Sequence, residues 1–381
     1  MTRSVLISGA GVAGLATAFW LDRAGFEVTL IESSDGFRRG GQAVDIRGVA
    51  LQVVQAMGLL DAARALRTRL KGMSMLDADG NEIHRTEERT YSAGRLDSDD
   101  IEIFRDDLCE SLMNALSTNV EFLYGDSIRA IDQSKDGVRI EFESGSNRSF
   151  DLLIGADGIY SNVRKQAFND EAAFVFPLGV VLALFSIPNF IKLDDWQIGH
   201  RVEEFGYVTY PSRDKRELRI GVGFGAPEPP LSRNDVEAQK RVVSQSCAHL
   251  KGDFPRFLEA MKSTDQFYYN ELAQIHMPSW SQGRVVLVGD AAYCASPFSG
   301  QGTSLALVGA FVLAHELARR AQDSADAFAA YESRMRPFVD LNQALVDLER
   351  QGPVPDEQLD AAKNGIDLTG LFAQPVDATR R

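Results

Sequence analysis

Three glycines near the start of the chain have the spacing of a phosphate-binding turn. Gly9, Gly11 and Gly14 follow the apolar run 5–7 and precede a helical pattern over residues 15–23. The first glycine permits a tight turn, the second lets a pyrophosphate approach the backbone, and the third lets helix and strand pack closely. The helix start offers unpaired N–H groups and a positive dipole end to phosphates. The spacing predicts a dinucleotide site, with a purely structural glycine turn as the alternative.

An acidic residue completes this first unit. A second apolar run, 28–31, ends at Glu32, roughly 20 residues after the glycines, where a carboxylate can accept hydrogen bonds from the adenosine ribose. An acid at this position favours a free 2′-hydroxyl group. The pattern therefore favours FAD or NAD over NADP.

The combination of strand, polar turn and helix occurs twice more along the chain. The apolar runs 150–155 and 284–289 lead to Asp157 and Asp290, respectively, and a helical pattern follows each. Carboxylates at the carboxyl ends of parallel strands lie where such sheets bind ligands, and can hold sugar or ribityl hydroxyls. For Asp290 alone, the alternative is an ordinary acid in a turn at a strand end.

The segment after Asp290 has the features of a loop against a flat ring. Pro297, Gly300 and Gly302 allow close approach of the backbone, and a long helical pattern starts near Thr303. Such a helix would direct its positive end at the ring and stabilise the negative charge of a reduced flavin.

Size, charge and composition limit the remaining possibilities. The chain has 381 residues and a formal net charge of −14, which suggests two domains and disfavours nucleic acid as a partner. The three cysteines and five histidines lack the spacing of metal ligands, so we expect no metal site and no disulfide. No apolar run approaches the ~20 residues of a membrane span, and a strand pattern begins within a few residues of the start. We expect a cytoplasmic protein without stable membrane association.

Taken together, the three motifs resemble the class A flavoprotein monooxygenases, the para-hydroxybenzoate hydroxylase-like group that includes the tetracycline-inactivating monooxygenases. The resemblance is carried by Gly9-x-Gly11-x-x-Gly14 with Glu32, by Leu153-Ile-Gly-Ala-Asp157-Gly158, and by Gly289-Asp290-Ala-Ala with Pro297-x-x-Gly300-Gln-Gly302. These motifs span nearly the whole chain, in the order found in the family.

The resemblance implies an α/β fold: a Rossmann-like FAD-binding domain with an interleaved β-sheet substrate domain and a long C-terminal helix. We assign residues 1–71, 100–172 and 281–324 to the FAD-binding domain, and residues 72–99 and 173–280 to the substrate domain. Residues 325–350 form the C-terminal helix, and residues 351–381 a polar, loosely held tail.

The resemblance also implies roles for individual residues. Glu32 would bind the adenosine ribose, Arg105 would lie beside the FAD phosphates and ribityl chain, and Asp290 would hold the ribityl chain. Asp45 and the Arg38/Arg39 pair would belong to a mobile loop against the flavin, with the choice between the two arginines open. The full set of expected cofactor contacts is Gly9, Gly11, Ala13, Gly14, Glu32, Arg38, Arg39, Asp45, Arg105, Ile128, Asp157, Asp290, Pro297, Gly300, Gly302 and Thr303.

The implied reaction places the chemistry on the cofactor. NADH or NADPH would reduce FAD as a transient co-substrate, and O2 would add at the flavin C4a position. The resulting hydroperoxide would hydroxylate a small aromatic or polyketide-like molecule, such as a tetracycline. No catalytic side chain is therefore assigned. Candidate substrate contacts are Leu182, Tyr207, Tyr210, Arg219 and Phe298, most of which could equally be ordinary sheet or core residues.

Other functions remain open at this point. The main alternative is a reductase or dehydrogenase on the same fold that inserts no oxygen. A ligand-sequestering flavoprotein is a third possibility, and the absence of a W-x-W-x-I-P run disfavours a halogenase. We expect a monomer or a homodimer.

Overall fold

The computed structural model describes residues 3–37, 41–168, 171–202, 205–320, 323–350 and 354–373. Arg38 and Arg39, expected near the flavin, lie outside the described residues.

The strands belong mainly to two large sheets. In chain order they are β1 (Ser4–Ser8), β2 (Glu27–Glu32), β3 (Ala43–Ile46), β4 (Met73–Leu76), β5 (Glu82–Thr86), β6 (Arg89–Thr90), β7 (Gly94–Arg95), β8 (Ile101–Phe104), β9 (Glu121–Tyr124), β10 (Ile128–Gln133), β11 (Val138–Phe142), β12 (Asn147–Phe150), β13 (Leu152–Gly155), β14 (Val175–Pro188), β15 (Gln197–Val202), β16 (Phe205–Pro211), β17 (Glu217–Gly225), β18 (Phe267–Ile275), β19 (Ser281–Gln282) and β20 (Val285–Leu287).

The helices alternate with these strands in the first half of the chain and dominate its end. They are α1 (Val12–Arg23), α2 (Val49–Ala56), α3 (Leu60–Leu66), α4 (Arg105–Asn114), α5 (Asn162–Ala167), α6 (Val236–Ser246), α7 (Phe254–Ser263), α8 (Asp290–Tyr293), α9 (Gly302–Arg319), α10 (Ser324–Gln343), α11 (Asp356–Lys363) and α12 (Thr369–Phe372), with 3-10 turns at Glu171–Ala173 and Pro297–Ser299.

The first sheet has six strands in the order β19-β20-β13-β1-β2-β9. Its inner pairs are parallel: β1 lies between β2 and β13, and β13 also pairs with β20. Apolar side chains of β1, β13 and β20 are almost completely buried, as expected for a parallel sheet covered on both faces. Because these strands run in one direction, the turns that follow them meet at the same sheet edge.

The second sheet has seven strands in the order β18-β14-β17-β16-β15-β4-β5. One of its faces packs on α6 and α7 in a separate apolar core that includes Phe185, Tyr207, Phe254 and Phe257. β16 and β17 form an antiparallel hairpin in the middle of this sheet. The α/β fold class is confirmed, with helices around a largely parallel sheet and a second, largely antiparallel sheet. The domain boundaries stay predictions.

The end of the chain differs from the expectation of a loosely held tail. The helix expected over residues 325–350 ends at Gln343, and α11 and α12 follow. Leu368 and Leu371 are buried in the main core, and Phe372 stacks on Phe311 with ring centroids 4.9 Å apart. Over residues 354–373 the chain is therefore packed on the main core rather than loosely held, because these apolar side chains interrupt an otherwise polar segment.

No single helix in the described ranges combines the length and apolar character needed to cross a bilayer, whereas α2 and α3, bent by 114°, meet that test only as a pair.

Candidate functional site

A cavity of about 800 Å³ lies between the edge of the first sheet and one face of the second. Its size is typical of small-molecule and cofactor sites. Gly11, Asp157 and Asp290, one from each predicted motif, all line it. The other expected cofactor residues among its lining are Gly9, Ala13, Glu32, Asp45, Arg105, Ile128, Pro297, Gly300, Gly302 and Thr303.

The glycine turn is shaped by close approach of three backbone segments. Gly9 has a φ of +103°, and a Cβ there would lie 2.6 Å from the carbonyl oxygen of Ala156. Gly14 does not line the cavity. A Cβ at Gly14 would collide with the carbonyl oxygen of Gly9, so this glycine allows α1 to pack against the turn. Its expected role is therefore in packing rather than in contact with a ligand.

The N-terminus of α1 is open toward the cavity. Gly11 is its N-cap residue, and none of the described side chains caps the helix. Gly11, Val12 and Ala13 line the cavity. The first N–H groups of this helix are thus available to an anion, and the helix dipole would favour a phosphate there.

Glu32 is held as a carboxylate beside this turn. Its Oε2 accepts a hydrogen bond from the Ala10 amide at 3.0 Å, and its Oε1 accepts from the Ser34 amide at 3.0 Å and the Ser34 hydroxyl at 2.8 Å. Burial alone would raise the pKa of Glu32, but these hydrogen bonds outweigh it and lower the pKa. An ionised carboxylate with unused lone pairs is suited to accept hydrogen bonds from ribose hydroxyls.

Arg105 supplies positive charge at the same end of the cavity. It is the first residue of α4, and a Cβ on Gly11 would lie 3.4 Å from its Nη2. Within the part of the chain that the structure describes, its guanidinium has no ion-pair partner, and it lies close enough to Asp290 to lower the pKa of that carboxyl. A guanidinium without an ion-pair partner among the described residues, beside an open helix N-terminus, is a suitable partner for a pyrophosphate.

Asp157 has a different local role from the one its position suggests. Its Oδ2 accepts hydrogen bonds from the amides of Asn162 at 2.8 Å and Val163 at 3.0 Å, and its Oδ1 accepts from the Ser161 hydroxyl. The carboxylate therefore caps the start of α5. Burial raises its pKa, against these hydrogen bonds.

Asp290 begins α8 and faces the cavity. Burial raises the pKa of its carboxyl, and interactions with Cys294 and Arg105 oppose that rise. In contrast to Asp157, none of the hydrogen bonds described for Asp290 caps a helix with its side chain. It is the better placed of the two acids to bind ligand hydroxyl groups.

The segment expected to be a mobile flavin loop contains a strand. Asp45 lies in β3, and its Oδ2 forms an ion pair of 2.8 Å with Nη2 of Arg47. Side chains two positions apart on a strand share a face, so the spacing could have indicated Arg47, which the sequence analysis missed. A Cβ on Gly300 would lie 3.3 Å from Nη1 of Arg47. Arg47 therefore lies close to the Gly300 turn.

The loop after α8 leads into a second open helix N-terminus. Pro297, Gly300, Gly302 and Thr303 line the cavity. α9 begins at Gly302, with Gln301 as N-cap residue and no cap from a described side chain. As expected from the sequence, the positive end of this helix is directed at the cavity.

The far wall of the cavity is one face of the second sheet. Tyr210 and Arg219 lie directly opposite each other on β16 and β17 and both line the cavity. Arg219 donates to the Ser186 hydroxyl and to Oε1 of Gln266 at 3.0 Å. The remaining side chains of this face are Leu184, Ser186, Val208, Tyr268 and Asn270. The wall thus presents apolar surface with a few fixed polar groups.

Three expected substrate residues do not line the cavity. Tyr207 lies on the opposite face of the sheet, where its ring centroid is 4.5 Å from that of Phe254. Neighbouring strand residues alternate between faces, so Tyr207 and Tyr210, three positions apart, point to opposite sides. Leu182 is on the cavity face but lies beyond the lining residues, and Phe298 is 45% exposed in the Pro297–Ser299 turn. The assignment of Tyr207 is therefore corrected, whereas those of Leu182 and Phe298 stay predictions.

Comparison with known proteins also indicates a protein that binds FAD. The FAD binding domain family matches residues 2–345. An uncharacterized protein of Mycobacterium tuberculosis strain H37Rv, Rv1260, is 44% identical, covering 96% of this chain and 99% of that protein. A flavin-dependent monooxygenase from an unknown prokaryotic organism is 35% identical, covering 94% and 92%. The crystal structure of the tetracycline destructase Tet(51) has a TM-score of 0.87 and 32% identity, covering 97% of this chain and 99% of that one.

Proposed function

We propose that this chain, which belongs to the FAD binding domain family and is an FAD-dependent monooxygenase, uses NAD(P)H and O2 to hydroxylate a small aromatic or polyketide-like molecule. A tetracycline is the leading candidate substrate, since the similar structure Tet(51) is a tetracycline destructase.

The observation that carries this proposal is the composition of a single cavity. Its one end is built from the glycine turn, Glu32 and Arg105, and its other end is the face of the second sheet with Tyr210 and Arg219. A dinucleotide that extends from the glycine turn would reach toward that face. A substrate seated on the sheet would then lie next to the reactive end of the cofactor.

The residues of the first end fit FAD in charge and shape. The open N-terminus of α1 and Arg105 would bind the pyrophosphate, Glu32 the adenosine ribose, and Asp290 the ribityl hydroxyls. The Pro297–Gly302 loop and the start of α9 would lie against the ring. Bound FAD would supply the redox chemistry, accepting electrons from NAD(P)H and activating O2; the protein binds, orients and excludes water.

The sheet face fits a substrate with both apolar rings and oxygen substituents. Leu184 and Val208 offer apolar surface, while the Tyr210 hydroxyl and the Arg219 guanidinium can hydrogen-bond to oxygen atoms. Arg219 is held by Ser186 and Gln266 and forms an ion pair of 3.3 Å with Glu217. The part of its charge that Glu217 leaves uncompensated would favour an enolate or phenolate form of the substrate.

Oxygen labelling tests the proposed function. The purified protein, loaded with FAD, is assayed with NADH and NADPH against a panel of phenols and tetracyclines for stimulated O2 uptake. The product formed under 18O2 is expected to carry one labelled oxygen atom. A product without label would indicate the reductase or dehydrogenase alternative, and ligand binding without stimulated turnover would indicate a sequestering protein.

The two tyrosines of β16 provide a matched test of the substrate face. Tyr210→Phe is expected to raise the KM for the substrate by roughly 2-fold to 10-fold, because it removes a hydroxyl group that accepts a hydrogen bond from the Ala43 amide at 3.2 Å and can donate one to the substrate. Tyr207→Phe, on the opposite face, is the control and should leave KM unchanged. Equal effects of both changes, measured by steady-state kinetics, would contradict the assignment of this face to the substrate.

A further inference from the structure

A second carboxylate lies directly opposite Asp45 on the neighbouring strand. β3 and β8 are antiparallel, and their register places Glu102 opposite Asp45. Asp45 lines the cavity, whereas Glu102 is 6% exposed and does not. Two acids in directly opposed positions of a strand pair repel each other when both are ionised.

The surroundings of the two acids are unequal. Arg47 pairs with Asp45 at 2.8 Å and, through the same Nη2, donates to the carbonyl oxygen of Ser92 at 3.2 Å. Glu102 accepts a hydrogen bond from the Thr68 hydroxyl through Oε2. Its Oε1 is buried and has no hydrogen-bond partner among the described residues. Arg47 thus pairs with Asp45, whereas one oxygen of the Glu102 carboxyl group has no hydrogen-bond partner among the described residues.

We propose that the opposed carboxyl groups of Asp45 and Glu102 share one proton at the wall of the cavity. Glu102 is thus a positioning residue, which affects FAD binding only through the charge of Asp45. Two ionised carboxylates can only accept hydrogen bonds, so the shared proton gives the pair a donor. It also removes one of the pair's two negative charges. Loss of the proton would add a full negative charge beside the ligand. The proposal rests on the proposed function, since it takes FAD as the occupant of the cavity.

The neighbouring charges are consistent with a shared proton. Burial raises the pKa of Asp45 to about 7; Arg47 opposes this rise, and Glu102 adds to it. Burial also raises the pKa of Glu102, and the nearby hydroxyl groups of Ser92 and Thr68 and the charge of Arg47 oppose this rise. The charged and titratable groups near the pair are Arg47 immediately after β3, Asp100 before β8 and Tyr210 on β16, with Arg219 of β17 beside Tyr210. Lys363 of α11 pairs with Asp100 at 3.1 Å.

The test is the pH dependence of FAD affinity, measured on the apoprotein by quenching of flavin fluorescence. The wild-type affinity for FAD is expected to fall as the pH rises, with a midpoint near neutral pH. In Glu102→Gln the midpoint should move by about one pH unit toward acid, because loss of the neighbouring charge lets Asp45 ionise more readily. In Asp45→Asn the transition should disappear.

Glu332→Gln is the matched control. Glu332 also accepts hydrogen bonds in the protein interior, from the Trp280 amide at 3.0 Å and from Arg336, but it does not line the cavity. Its replacement should leave the midpoint unchanged. A wild-type midpoint retained in Glu102→Gln or in Asp45→Asn, or a wild-type affinity independent of pH, would overturn the proposal.

Two further outcomes are separable. If Glu102→Gln does not fold, infrared spectroscopy of the wild-type protein decides the point: a protonated-carboxyl band should be present on the acid side of neutrality and lost on the alkaline side, and its absence would overturn the proposal. A folded protein that binds no FAD at any pH would overturn the proposed function itself. Normal FAD binding with an unshifted midpoint would overturn only the role of Glu102.

Discussion

Gly14→Ala is expected to remove most FAD binding and to destabilise the protein by about 1–3 kcal/mol, the usual cost of forcing an extra carbon into a packed region. A Cβ at position 14 collides with the backbone oxygen of Gly9. The backbone of the turn cannot give way easily, because Gly9 itself is closely packed against Ala156. α1 would have to move away from the turn, and its N–H groups would move with it.

The measurement is the FAD content of the purified variant together with its thermal unfolding midpoint. Gly370→Ala is the control, because a Cβ at this position in α12 meets nothing within 4 Å. If Gly14→Ala retained full FAD content and stability, the close contact between α1 and the turn would have no role in building the site.

Arg105→Ala is expected to weaken FAD binding by about 1–3 kcal/mol, which corresponds to a roughly 5-fold to 150-fold higher Kd, through loss of charge-assisted hydrogen bonds to the pyrophosphate. The guanidinium lies beside Gly11 and the open end of α1. Stability in the absence of FAD should change little, since no described residue forms an ion pair with this side chain.

Titration of the apoprotein with FAD gives the affinity. Arg129→Ala is the control: this arginine forms an exposed ion pair of 3.0 Å with Glu141 on the β10–β11 hairpin, and its loss should not affect FAD. Raising the salt concentration should narrow the difference between wild type and Arg105→Ala, because salt screens the charge interaction. An unchanged Kd in Arg105→Ala would remove this residue from the site.

Much of the cofactor end could be predicted from the sequence because its determinants are local. The apolar run before Gly9, the glycine spacing and the acid at Glu32 all lie within one strand–helix–strand unit, and its pattern is read over about thirty residues. The meeting of this unit with Asp157 and Asp290 at one sheet edge follows from parallel pairing. It could be predicted because helices separate these strands in sequence.

The missed features depend on pairing between distant residues or on local competition for hydrogen bonds. The opposition of Asp45 and Glu102 arises from a register between β3 and β8 that no short sequence window contains. An acid at the position of Asp157 can hold a sugar or cap a helix. Ser161, which is the N-cap residue of α5 and donates to Asp157, indicates the capping role. The error at Tyr207 was avoidable, since strand alternation alone separates it from Tyr210.

The order of strands in the first sheet has a consequence for how the protein matures. β1 begins at Ser4, yet its neighbour β13 begins at Leu152 and the next strand, β20, at Val285. Long loops must close before these strands can align, and such distant pairings form late in folding. A nascent chain therefore carries its glycine turn long before it has a place to hold a cofactor. Acquisition of flavin should therefore follow the pairing of these distant strands.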